Sequence, residues 1–237
     1  MRVGAVIQAR MGSERLPGKV LHRVAGKPLL QYLLERVRRC GCLDGVVVAT
    51  SAEEADGPVA AFCREQGVPC QRGPLADVAR RFRDVLDRHP WDGFVRLSGD
   101  NPLLDPGLIE RAVGLFRQGS EVDLVTNVLV RTYPPGQSVE VVRSATFRRA
   151  YTLMREPDDF EHVTRFFYKN RDLFRVVDFT SGRDHRGVHL AIDTPGHLNT
   201  FAAIVGRMAR PHWDYGLDEV LGIYHELQGD RGERHGP

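Results

Sequence analysis

Short apolar runs alternate with amphipathic stretches from residue 3 to residue 127. The run at 3–9, the Val46-Val47-Val48 triplet within 45–50, and the segments 68–72, 94–97 and 122–127 have the length and β-branched content of buried strands. Between them the apolar spacing turns helical. Residues 29–39 carry Leu29, Leu33 and Val37 on one face, and 75–88 place apolar side chains at 75, 78, 82, 85 and 86. Ser51 and Glu54 read as a capping box that opens a helix over 51–67, and Pro106 suits the first position of a helix over 106–116. Strands and helices alternating at this length predict right-handed crossovers and an α/β fold with a mostly parallel sheet.

The pattern is less regular after Asn127. Strands are predicted at 138–142, 174–180 and 187–192, and helices at 144–155, 160–170, 195–208 and 217–228. The Tyr133-Pro134-Pro135-Gly136 break predicts a small inserted lobe over about 128–180, within a single domain spanning 1–227. The polar stretch 228–237 reads as a disordered tail.

Composition narrows the class. With 237 residues, 42% of them apolar, the chain can bury a sizeable core. A net charge of +2 argues against a general nucleic-acid binder. No run reaches the roughly 18 apolar residues a membrane span needs, and the N-terminus is read as lacking a signal peptide. The four cysteines form neither a CxxC pair nor a Cys/His metal spacing, which predicts reduced thiols in a cytoplasmic protein.

The loop after the first strand carries the chemistry. Within ten residues it sets Arg10, Arg15 and Lys19 beside Gly12, Ser13, Pro17 and Gly18. Ligands of open parallel sheets settle beyond the carboxyl ends of the strands. Small residues there let backbone N–H groups approach an anion, and the three cations can converge on a polyphosphate. Neither G-x-x-x-x-G-K-[ST] nor G-x-G-x-x-G is present, which disfavours a dinucleotide-dependent dehydrogenase. Two later acids fit a metal as well as a turn. Asp100, between Gly99 and Asn101-Pro102, is either a turn former or a Mg²⁺ ligand, and Asp193 before Thr194-Pro195 either starts a helix or does the same.

The motifs "QARMGSERLPGKVLHRVAGKPLL", "VVVAT", "RGPLADVARRF", "VRLSGDNPLLDP", "TYPPGQSVEV", "FEHVT" and "LAIDTPGHLNTF" occur in that order up to about residue 205. In them the sequence resembles the cytidylyltransferases that load CMP onto sugar acids, closest to the branch named for spore-coat polysaccharide biosynthesis protein F. The resemblance implies a three-layer α/β/α, Rossmann-like (GT-A-like) nucleotidyltransferase fold. It implies CTP as substrate, a small sugar-acid acceptor, Mg²⁺ as cofactor and a homodimer. Arg10, Lys19 and Asp100 become the catalytic candidates, with the metal on Asp100 and Asp193. The nucleotide is expected on Ala9, Arg10, Gly12, Ser13, Arg15, Lys19, Arg72, Gly73, Asp77 and Ser98, although Asp77 read alone fits a helix start equally well. Acceptor contacts are expected from Asn127, Glu140, Glu161 and His162.

The sequence also departs from that family. Gln137-Ser138 replaces an aspartate beside leucine, Pro135-Gly136 replaces Asp-Gly, and Glu14 stands where Thr or Ser is usual. Two alternatives stay open: another nucleotide or a non-sugar acceptor, and a nucleotide-binding module without turnover.

Overall fold

β1, Val3–Gln8, is flanked on one side by β4, Val46–Ser51, and on the other by β6, Gly93–Ser98, both parallel to it. The computed structural model describes residues 1–119 and 121–233. The seven-stranded sheet continues outward from β4 to β5, Cys70–Gly73, and outward from β6 to β8, Glu140–Arg143, then β7, Leu124–Thr126, and β9, Val176–Asp178. All neighbours are parallel except β8, which runs antiparallel to both β6 and β7. A two-residue hairpin, β2 at Arg23–Val24 and β3 at Lys27–Pro28, stands apart.

Alternation along β1 explains the layers. Val3, Ala5 and Ile7 face one hydrophobic cluster, and Val6 faces the other. The first cluster packs α1 (Leu29–Val37), α2 (Gly57–Glu65), α4 (Pro106–Gln118), α8 (Pro195–Gly206) and α9 (Leu217–Glu233) against the sheet. The second packs α3 (Val78–Arg88), α5 (Ser144–Leu153), α6 (Pro157–Glu161) and α7 (Arg165–Lys169). A strand buried on both faces has no polar side to show, hence the continuous apolar runs.

Several elements differ from the expectation. Ser51 ends β4 and bonds Asp56, so α2 opens at Gly57 with Pro58 in its first turn instead of at a Ser51/Glu54 box. The 160–170 helix splits into α6 and α7, where Val163 takes φ 34°. Residues 187–192 form no strand: Leu190 and Ala191 donate to the Pro135 carbonyl, and Ile192 donates to that of Asp100. The segment expected as a lobe lends β8 and β9 to the main sheet. α9 continues through Glu233, past the expected end at Gln228, and residues 234–237 lie outside the described residues. Among the described residues no helix is long and apolar enough to cross a membrane.

Candidate active site

In chain order the sheet grows from β1 to β4 and β5 on one side and then jumps to β6 on the other. That reversal is a topological switch point, and a crevice opens there beyond the strand ends. A cleft of about 690 Å³ occupies it, bounded by the ends of β1 and β6, the loop after β1, the start of α3 and the end of α6.

The loop that forms one wall is braced from below. Gly18 closes it at φ 70°, a left-handed conformation that suits glycine, and donates to the Met11 carbonyl at 2.8 Å. Asp56, almost wholly buried, accepts from the Met11 N–H at 2.6 Å and from Ser51. Gly12 and Ser13 form no backbone–backbone hydrogen bond among the described residues, which leaves their N–H groups to an incoming anion. Asp56→Ala is therefore expected to cost about 1–3 kcal/mol of stability through the unsatisfied donors it leaves. It should also expose the loop to trypsin; unchanged cleavage and melting would show that Asp56 is not its brace.

Three charged groups meet across the cleft. Lys19 Nζ donates to Asp100 Oδ2 at 2.7 Å and to Asp193 Oδ1 at 2.9 Å. Burial pulls the ammonium's pKa down, but Asp100 and Asp193 outweigh it and the net shift is upward. For Asp193, burial is again the largest influence, and Lys19, His189 and Arg15 together overcome it to lower the carboxyl's pKa. Both acids are free for this work. Thr194, not Asp193, caps α8, accepting from the His197 N–H, and Asp105 caps α4. Gly99 lets β6 pass close to β1, because a Cβ there would lie 3.0 Å from that of Ala9.

The two arginines are held loosely. Arg15 approaches Asp193 at 3.5 Å and Arg10 approaches Glu161 at 3.5 Å, and all four side chains keep some solvent access. Such pairs are worth little, so either guanidinium can leave for a stronger anion. Ala9, Leu75 and Val78 give the cleft an apolar stretch, and Ser98 and His162 complete its lining.

Eleven of the expected residues thus share one cleft: Ala9, Arg10, Gly12, Ser13, Arg15, Lys19, Ser98, Asp100, Glu161, His162 and Asp193. Five do not line it. Arg72 turns its guanidinium onto the carbonyls of Ser51 and Glu53, and the backbone of Gly73 pairs with Ala52 beside it. Asp77 caps α3 through the Arg80 N–H at 2.7 Å and accepts from Tyr151 at 2.7 Å, as a helix-start residue does. Asn127 is buried and bonds the backbone of Gln137 and Val139. Glu140, also buried, sits between Arg96 at 2.5 Å and the Tyr168 hydroxyl at 2.5 Å. Burial and the Glu140 carboxylate push the Tyr168 pKa upward. Gln137 is wholly buried and ties Asp105 to Leu103.

Four contributors escape a reading by motif: Asp56, Arg81, His189 and His197. Arg81 lines the cleft at 2% exposure, holds the Pro74 carbonyl at 2.6 Å and leaves Nε without a partner. Burial and then the charge of Arg10 lower its pKa. A helical spacing of apolar residues carries no sign of a buried arginine. His189 and His197 flank Asp193 at four residues each, and that spacing was a signal available in the sequence.

The profile of the family described as cytidylyltransferase matches residues 5–198. Spore coat polysaccharide biosynthesis protein SpsF of Bacillus subtilis is 34% identical over 207 residues, covering 84% of each chain. The 3-deoxy-manno-octulosonate cytidylyltransferase of Syntrophotalea carbinolica is 34% identical over 154 residues, 65% of this chain and 61% of that one. A cytidylyltransferase structure from Leptospira borgpetersenii superposes with a TM-score of 0.91 at 27% identity, covering 97% of this chain and 96% of the other. The match runs from the first strand into α8, across both carboxylates and the basic loop, and on that ground the chain belongs to the cytidylyltransferase family.

Proposed function

We propose that the enzyme transfers CMP from CTP to a small sugar acid of the nonulosonic or Kdo type, releasing pyrophosphate, in the building of a cell-surface glycan. The observation that carries this reading is the meeting of Lys19, Asp100 and Asp193 in a cleft whose loop also bears Arg10 and Arg15. The names of the Bacillus and Syntrophotalea relatives support the substrate class.

The cleft fits a divalent cation. Two carboxylate oxygens converge within 3 Å of the Lys19 ammonium, so a cation already stands between them, and an all-oxygen donor pair suits Mg²⁺. Asp100 and Asp193 would hold the ion, which when bound withdraws charge from the phosphate oxygens. The chain's own groups do the remainder. Arg10, Arg15 and Lys19 bind the triphosphate and hold it in line for attack by an acceptor oxygen on the α-phosphorus. As the bond to pyrophosphate breaks, negative charge grows on the bridging oxygen, and a positioned ammonium stabilises it. The base lies along Ala9, Leu75 and Val78, while Glu161 and His162 face the acceptor's hydroxyls and carboxylate.

One observation favours a different acceptor within the same chemistry. Asn127 and Glu140 are committed to internal bonds, and Glu14 adds a negative charge to the cleft. A pyrophosphate-release screen of CTP against nonulosonic acids, Kdo and sugar phosphates decides between them. Release with a sugar acid is expected, and release only with a sugar phosphate would move the reading to that acceptor. Thermal shifts with each nucleotide and Mg²⁺ should be largest for CTP, since a ligand of the native state alone raises the melting temperature. An equal shift with UTP or ATP would remove CTP from the proposal.

A further inference from the structure

The two oxygens of Asp193 face different partners. Oδ1 receives Lys19 at 2.9 Å and Arg15 at 3.5 Å, on the cleft side. Oδ2 lies 3.2 Å from His189 Nε2. His197 Nδ1 lies 3.3 Å from the backbone N–H of Asp193, and the two imidazoles stack with centroids 3.9 Å apart. One ligand atom from each of His189, Asp193 and His197 falls within 4.8 Å of the others. We propose that these three residues form a second cation site, for a transition ion such as Zn²⁺ or Co²⁺, on the side of Asp193 away from Lys19.

The backbone that carries these side chains is fixed. Ile192 is tied to the Asp100 carbonyl at 2.9 Å, and Leu190 and Ala191 to that of Pro135, so the irregular segment holding His189 is pinned at three points. His197 lies in the first turn of α8, whose start is set by the Thr194 cap and Pro195. The side chains keep freedom to adjust, and His189 is only partly buried. Bonds of about 2.0–2.2 Å to nitrogen and oxygen require the donors to close in from their present spacing. Turning the two rings out of their stack would supply that movement, with His197 giving up the long 3.3 Å bond that its Nδ1 accepts from the Asp193 N–H.

Donor chemistry separates this site from the one between Asp100 and Asp193. Two imidazoles and one carboxylate select borderline transition ions, whereas Mg²⁺ prefers oxygen alone. Three protein ligands leave room for water or another ligand to complete the shell. The site shares Asp193 with the ion of the proposed reaction but rests on that reading in no other way. Its test therefore measures metal binding alone, without nucleotide or turnover.

The full chain with reduced thiols is titrated with Zn²⁺ by calorimetry, and Co²⁺ binding is followed by visible absorption. Wild type is expected to bind one equivalent that the double variant His189→Ala/His197→Ala lacks, with each single variant about tenfold weaker or more. Asp100→Asn should keep that equivalent and its Co²⁺ spectrum, and circular-dichroism melting should show every variant folded. Absence of the equivalent from wild type, its survival in the double variant, or its loss in Asp100→Asn would each overturn the proposal. Failure of CTP turnover in Asp100→Asn bears only on the proposed reaction.

Discussion

Lys19→Ala is expected to move two ligands in opposite directions, tightening Mg²⁺ on the free protein while turnover of CTP collapses. In the free protein the ammonium bonds both Asp100 and Asp193, so an entering divalent ion must displace it. Removing a unit charge a few Å away is worth more than about 1 kcal/mol even at the dielectric of a protein surface, hence about tenfold tighter Mg²⁺ binding. The same deletion strips the triphosphate of its least exposed cation, since Arg10 and Arg15 keep far more solvent access. Loss of one charge-stabilising donor costs about 10²–10³-fold in rate. Binding of CTP should weaken much more than binding of CMP, which lacks the outer phosphates. Calorimetry with Mg²⁺ and steady-state pyrophosphate release measure the two effects. Parallel weakening of metal and nucleotide would show that Lys19 supports the fold of the cleft and does not exchange partners within it.

That exchange shows which parts of the site could be read from residues in order. Lys19, Asp100 and Asp193 are 81 and 93 positions apart in turn, yet all three lie next to strand-like or helix-start signals that place them at one end of a parallel sheet. Topology did the rest: a β1–β6 neighbour relation brings residues 10–19 against residue 100. Continuous apolar runs likewise located the first five parallel strands of the sheet, because strands buried on both faces are apolar throughout, and helical spacing located the helices between them. Residues whose role depends on which way a side chain turns were not legible. Arg72 and Asp77 sit at the expected strand end and helix start, but backbone carbonyls and a helix N-terminus satisfy them first. Glu140 lies on the right strand, yet its neighbour Arg96 across β6 draws it into the interior. The 187–192 segment has strand composition, yet its N–H groups go to the Pro135 and Asp100 carbonyls and it joins no ladder.

Acid is expected to destabilise this enzyme around α1, starting above the pH at which most carboxylates protonate. His212 is 6% exposed, donates from Nε2 to Glu35 at 2.8 Å and has no partner for Nδ1. Burial, with added repulsion from Lys27 and Arg36, lowers its pKa from 6.5 to about 4 against the pull of Glu35. Charging the ring would place a new N–H on Nδ1 in a buried position with no acceptor. The sign follows from proton counts. Between pH 6.5 and about 4 the unfolded chain binds a proton that the folded chain refuses, so stability is complete above that window and falls as the pH drops through it. The full shift corresponds to about 3 kcal/mol at most, a substantial share of the stability of a single domain. Glu35, whose carboxyl pKa is lowered by Lys27 and His212 against the opposing effect of burial, adds a loss in the same direction at lower pH. His212→Phe keeps an aromatic ring against Tyr32, whose centroid is 4.6 Å away, and leaves Glu35 bonded to Lys27 and Gln31. Urea midpoints measured stepwise across the window should therefore fall steeply in wild type and much less in the variant. Equal slopes in the two proteins would show that His212 takes up its proton without cost and that the acid sensitivity resides elsewhere.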